Sequence, residues 1–231
     1  MKTIEIIISR FNEDLKWTTE DIFNEYKYII YNKGDNENFE KSNVNKIINV
    51  ENVGRCDHTY LYHIITNYDN LCDITVFFPG SLDLEYKRKR AIEILTRIKH
   101  SNMTNAFFVG EKSNNIRRKL SDFMLDTWQS SNSQNVEKNN ENSLQLSHIR
   151  PYGNWFGYYF GSIKVTFLCY WGIFSIDKRD IIQHDISRYI RLAEQVNTSS
   201  NPEIGHYIER SWCAIFHPMN YTKQVISHHQ M

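Results

Sequence analysis

In the first half of this chain, short apolar runs the length of β-strands alternate with segments patterned as helices, and few folds accommodate that alternation. Residues 3–9 (TIEIIIS), 28–31 (YIIY) and 73–78 (DITVFF) are apolar at consecutive positions rather than at every second one, and 46–50 is a shorter run of the same kind. Runs without alternation suit strands covered on both faces, as in parallel sheets. Between them lie segments with helical signals. Residues 18–26 open with Thr18 and Asp21 as a weak capping box, 57–69 place Leu61, Ile64, Ile65 and Tyr68 on one face, and 83–99 do the same with Leu84, Ala91, Ile94, Leu95 and Ile98. Further strands are expected at 105–109 and 164–176, and a helix at 177–196. A last helix opens at Asn201-Pro202-Glu203, where Asn caps, Pro suits the first turn and Glu suits the positive end of the dipole. The prediction is an α/β single domain with a mainly parallel central sheet flanked by helices.

Charge and composition narrow the functional classes. Lys plus Arg equals Asp plus Glu at 27 each, so nothing draws the chain as a whole to nucleic acid or to an anionic membrane. No apolar stretch approaches a membrane span, and the start of the chain runs straight into a strand pattern with no signal-peptide region, so the expected location is cytoplasmic. Cys56, Cys72, Cys169 and Cys213 are scattered and read as free thiols. Residues 129–147 are rich in Ser, Asn and Gln and read as a long mobile loop. The phosphate-loop, dinucleotide-binding, nucleophile-elbow and HExxH zinc signatures are all missing.

In parallel sheets, ligands sit outside the carboxyl ends of the strands. That rule gathers residues 10–14, 33–35, 52–58 and 79–83 on one edge, with the cations Arg10, Lys33 and Arg55 and the carboxylates Glu13, Asp14, Asp35, Asp57 and Asp83. Guanidinium groups fork onto phosphate, and carboxylates accept from sugar hydroxyls. For any one of these residues a solvated turn is the commoner explanation. Arg55 and His58 stand out because they flank a helix start.

On the last helix, Ile204, Ile208, Trp212 and Ile215 make a buried stripe, while His206, Glu209, Arg210 and Cys213 share another face. A His and a Glu there suit base or metal-ligand chemistry, and a plain surface ion pair is the alternative. The aromatic stretch 152–160, preceded by His148 and Arg150, is either core or a platform for a sugar face or partner.

Several motifs together carry a family resemblance. SRFNEDLKW at 9–17, NVGRxxHTYL at 52–61, NYD at 67–69 and PEIGHYIERxW at 202–212 resemble an uncharacterised domain family of fungi, bacteria and large DNA viruses, catalogued as a domain of unknown function. That family usually has Glu where this chain has Cys56. The layout is also similar to glycosyltransferases of the A-type fold, with Gly172-Ile173-Phe174-Ser175-Ile176 resembling the strand before the acceptor-side helix. This second resemblance implies a nucleotide-binding half at 1–110, a partly mobile insertion at 111–147, an acceptor half at 148–220 and a flexible tail at 221–231, where His228-His229 lies. It implies nucleotide contacts from Arg10, Asn12 and Glu13, joined by Lys33, Arg55 and His58. Where A-type enzymes carry Asp-x-Asp there is one acid, Asp83. Either Asp83 holds Mn2+ or Mg2+ with His206, or cations such as Arg10 and Arg55 hold the leaving diphosphate.

The expected function is therefore sugar transfer from a nucleotide-diphosphate donor to a hydroxyl of a glycan or protein acceptor, with Glu209 or Glu203 as base and His206 beside them. A non-catalytic nucleotide-sugar-binding or structural protein is the first alternative. A metal-dependent hydrolase built on Asp83, His58 and His206 is the second.

Overall fold

The computed structural model describes residues 2–101, 105–127, 144–219 and 224–228. Its centre is a seven-stranded sheet. The strands are β1 (Ile4–Arg10), β2 (Tyr28–Asn32), β3 (Val44–Asn49), β4 (Ile74–Pro79), β5 (Phe107–Lys112), β6 (Phe167–Asp177) and β7 (Gln224–Ser227). They lie in the order β3-β2-β1-β4-β6-β5-β7. All neighbours pair in parallel except β6, which runs antiparallel to both β4 and β5. The mainly parallel α/β sheet expected from the sequence is thus present, with one reversed strand.

The helices are α1 (Arg55–Thr66), α2 (Glu85–His100), α3 (Ile116–Lys119), α4 (Tyr152–Phe160), α5 (Lys178–Ile182), α6 (Ile186–Ala193) and α7 (Glu203–Ile215). The unbroken apolar runs are explained by burial on both faces. Ile6, Ile8, Val76 and Phe78 join Ala91, Ile94 and Leu95 of α2 in one core. Ile7 and Phe77 point to the other core, with Tyr60, Leu61, Trp155, Tyr189, Ile208 and Trp212. Alternate residues of one strand therefore feed two cores, as the pleat requires.

Three local expectations changed. Residues 18–26 form two 3-10 turns, Lys16–Thr19 and Phe23–Glu25, instead of a helix. Leu15 and Ile22 take φ of 58° and 68°, which seats Trp17 and Phe23 edge-on at 5.0 Å in the core shared with α2; aromatic burial outweighs local helix propensity there. The helix expected at 177–196 is two helices, because Asp177 and Asp185 each cap a new start by accepting from the backbone N–H two residues on. Residues 224–227, expected in a flexible tail, form β7 on the β5 edge. Most of the 129–147 loop lies outside the described residues.

The chain passes from β1 to β2 and β3 on one side, then returns to β4 on the other side of β1. This makes the carboxyl ends of β1 and β4 the switch point, where a crevice forms in open α/β sheets.

Candidate active site

Glu13, in the turn after β1, folds its carboxylate back to accept from the backbone N–H groups of Phe11 (2.7 Å) and Asn12 (3.2 Å). Across the switch point it meets Gly80, where an added Cβ would stand 2.6 Å from Glu13 Oε2. The Trp17 indole donates to Gly80 O at 3.1 Å, fixing that turn. Asp83 follows. The protein around its carboxyl, then the charge of Glu13, raise its pKa.

Lys33, after β2, turns inward. Its Nζ donates to Val53 O and Arg55 O, each at 2.5 Å. Burial pushes its pKa down to about 7, against the pull of Cys56 and Asp57. The two carbonyls belong to the turn that starts α1, where Gly54 and Arg55 have φ of 60° and 54°. Gly54 suits this left-handed position, while Arg55 adopts it at a cost of about 1–3 kcal/mol. The ammonium of Lys33 holds the turn in place.

That turn aims Arg55 at α7. Its Nη1 lies 3.3 Å from His206 Nε2, and its Nη2 lies 3.7 Å from Glu209 Oε2. Gly205 lets the arginine pass, since a Cβ there would be 3.1 Å from Arg55 Cδ. Glu209 is also 3.5 Å from Arg210, so one buried carboxylate sits between two guanidinium groups. Behind them Asp57 is fully buried and accepts from the Trp212 indole at 2.9 Å. Burial first, and then the charge of Glu209, raise the Asp57 pKa to about 7. Cys56 fits under Gly172 of β6, where a Cβ would be 2.8 Å from its sulfur, and burial pushes its thiol well up. Trp171 and Gly172 both have left-handed φ, 66° and 64°, and the Tyr60 hydroxyl donates to Gly172 O at 2.9 Å.

Lys87, on the first turn of α2, closes the cluster. It donates to Ser81 Oγ at 2.9 Å. Its pKa is lowered by burial, and the charges of Glu209, Arg55 and Glu13 act on it. Side chains from the β1 turn, α1 and α7 therefore influence one ammonium group. The sequence reading passed over Lys87 because it lies in the basic run KRKR at 87–90, which looks like a solvated helix face.

The structure divides the sequence candidates. Arg55, Glu209, His206, Glu13 and Asp83 surround or adjoin the cluster. Arg10 is buried elsewhere in it: its guanidinium donates to Glu13 O (2.8 Å) and Asn32 Oδ1 (2.5 Å) and lies over the Phe39 ring at 3.9 Å, bracing the turn. Asn12 packs against Gly34. His58 stacks on Tyr62, and burial followed by the charge of Lys33 takes its pKa down to about 4. Glu203 does not face the cluster. Fully buried, it accepts from Leu125 N and Ser147 N (2.9 Å each) and Tyr207 OH (2.7 Å), and pairs with Arg150 at 3.0 Å. It ties the 125 and 147–150 segments to α7.

The two residues expected to share a metal, Asp83 and His206, meet different charges. The charged neighbours of Asp83 are Glu13 and Lys87. His206 instead feels Arg55 and Arg210, which together with burial depress its pKa strongly. Cations beside an imidazole oppose a bound cation, and among the described residues no three His, Cys, Asp or Glu side chains converge as metal ligands. No described helix is long and apolar enough to cross a membrane.

No curated protein and no solved structure matches the chain. The model of one family does match, over residues 6–228, and it takes in the β1 turn, the Gly54-Arg55 turn, Lys87 and α7. The chain belongs to that family, described as protein of unknown function DUF3431.

Proposed function

We propose that this protein transfers a sugar from a nucleotide-diphosphate donor to a hydroxyl acceptor at the crevice beyond β1 and β4. The observation that carries the reading is the meeting of Arg55, from the turn that starts α1, with His206 and Glu209 of α7, where Arg210 also flanks Glu209. Two cations beside a switch point suit a diphosphate, whose negative charge grows as the glycosidic bond breaks. Glu13 and Asn12 lie at the end of β1 and suit contacts to the nucleoside.

Glu209 is the base of this scheme. In the free protein its carboxylate is held by Arg55 and Arg210. A bound diphosphate competes for Arg55 through bidentate bonds. That weakens one of the two ion pairs and leaves a carboxylate oxygen able to take the proton of the acceptor hydroxyl. The diphosphate charge is met by side-chain cations. Glu203 ties Leu125 and Ser147, which lie in the insertion, to the acceptor half.

Isothermal titration of UDP, GDP and their hexose conjugates, with and without manganese, is the test. Binding of at least one, weakened tenfold or more by Arg55→Ala or Lys87→Ala, is expected. Glu209→Gln should keep nucleotide binding and lose transfer and donor hydrolysis. No heat with any nucleotide would defeat the proposal.

One observation favours a second reading, a non-catalytic nucleotide-sugar-binding protein. Cys56 is a half-buried thiol, its pKa raised by desolvation, near Arg55, in a family resembled for its glutamate at that place. Nucleotide binding with equal donor breakdown in wild type, Arg55→Ala and Glu209→Gln would select it.

A further inference from the structure

Two cavities of about 400 Å3 and 330 Å3 meet at Tyr159, Glu194 and Gln195, forming one trough between α4, the end of α6 and residues 145–149. One end carries Tyr158, which is 72% exposed although its helix neighbours Trp155, Phe156 and Phe160 are buried. An aromatic ring with most of its surface in water is the exception in a helix otherwise committed to the core. Its neighbour Tyr159 stands edge-on at 4.9 Å, so the two rings make a corner. The floor is Trp155, whose indole donates to Gln195 Oε1 at 2.9 Å. Gln195 Nε2 donates back to Arg191 O at 3.0 Å, so its amide is fixed in orientation. Exposed Arg191 and Glu194 form the rim.

The mixture selects among ligands. An apolar peptide would bury Arg191 and Glu194 without partners, and a polyanion would meet Glu194. A polyhydroxyl ligand with apolar ring faces satisfies all of it: the rings stack on tyrosine, and the hydroxyls both donate to and accept from the charged and amide groups. The opposite end of the trough reaches Pro202 and Ile204. Both precede Gly205, against which Arg55 packs. A chain of sugar rings lying in the trough thus has one end at the first turn of α7, the helix that carries Glu209.

We infer that this trough is an oligosaccharide-binding site, with a neutral hexose ring stacked on Tyr158 and a neighbouring ring over Gln195. As the distal part of an acceptor it rests on the sugar-transfer reading; as a saccharide site it does not.

The experiment titrates the full chain with a panel of neutral tetrasaccharides (α- and β-linked glucose, β-linked N-acetylglucosamine and α-linked mannose). Saturation-transfer NMR and tryptophan emission report binding, and UDP and GDP are titrated in parallel. At least one tetrasaccharide should bind without nucleotide. Tyr158→Ala and Gln195→Ala should each weaken it about two- to tenfold, as loss of an aromatic or polar contact predicts, and leave nucleotide affinity unchanged. Tyr158 is exposed, so its variant keeps the wild-type circular dichroism and melting point. Saccharide binding without nucleotide binding upholds the trough and overturns sugar transfer. Nucleotide binding with no tetrasaccharide bound, or with Tyr158→Ala and Gln195→Ala both binding as wild type, overturns the trough alone.

Discussion

Replacing Lys33 with methionine separates two energies that the wild-type chain superimposes. The ammonium is buried and donates to Val53 O and Arg55 O. Methionine fills similar volume but leaves both carbonyls unpaired, at about 1–3 kcal/mol each. It also removes a buried charge. A lysine that titrates near 7 in the fold and near 10.5 when unfolded destabilises the fold by on the order of 4 kcal/mol when both forms are charged. The folded pKa is the depressed one, so between about pH 7 and 10 the unfolded chain binds more protons. This lysine's contribution to stability therefore rises with pH and is lost as pH falls through about 7. Near pH 7 the two effects of Lys33→Met largely offset, leaving the variant within about 2 kcal/mol of wild type. Toward pH 10 the wild type gains and the variant does not, so the gap widens by on the order of 4 kcal/mol. Urea unfolding across that range measures the gap. A gap that stays constant with pH, or a Lys33 side-chain NMR signal that titrates at the ordinary lysine value, refutes the reasoning.

Asp57→Asn runs the opposite way. The folded pKa of Asp57 is raised, so its contribution is full below about pH 4 and lost by about pH 7. The variant should gain on wild type across that interval by up to about 4 kcal/mol in urea unfolding; parallel curves would discount the burial of this carboxyl. Gly172→Ala should cost about 1–2 kcal/mol for the left-handed backbone plus about 1–3 kcal/mol for the contact with Cys56 Sγ at 2.8 Å. Cys56→Ala in the same chain should return the second part only, and strictly additive free energies would show that the sulfur is not what Gly172 accommodates. Glu203→Gln weakens the pairing of a buried carboxylate with the partly exposed Arg150 and should lower the melting point while leaving nucleotide affinity intact. A change in nucleotide affinity without loss of stability would return Glu203 to the site.

Much of the sheet was legible because its signals are local. Unbroken apolar runs mark β1, β2 and β4, and each sits where both faces are covered. β7 was not legible: four residues near the end of the chain carry no period of their own, and pairing with Phe107–Gly110 creates the strand. The reversal of β6 was equally hidden, since direction depends on where the chain crosses the sheet. In the site, the rule about strand ends found Glu13, Arg55 and Asp83. It could not distinguish a cation aimed at a ligand from one aimed at backbone carbonyls. Lys33 and Arg10 have the right charge and place, yet Lys33 donates to the turn before α1, and Arg10 donates to Glu13 O and Asn32 while its buried Nη2 has no hydrogen-bond partner.

The two glutamates of α7 show how far spacing alone carries. Glu203 and Glu209 are six residues apart, which at about 100° per residue puts them roughly 120° apart around the helix. Two carboxylates so placed lean to different sides of α7, and this follows from the sequence without coordinates. What the sequence lacked was the choice between them. That choice is made by Arg55, 154 positions before Glu209 in the numbering, which reaches α7 only because Lys33 holds its turn and Gly205 leaves room for its side chain. Pairing of Glu203 with Arg150 fixes the other carboxylate in a structural post. The base of the proposed reaction is therefore set by a strut and a missing Cβ as much as by its own chemistry, and substitutions at Lys33 or Gly205 should disturb it without touching any bound group.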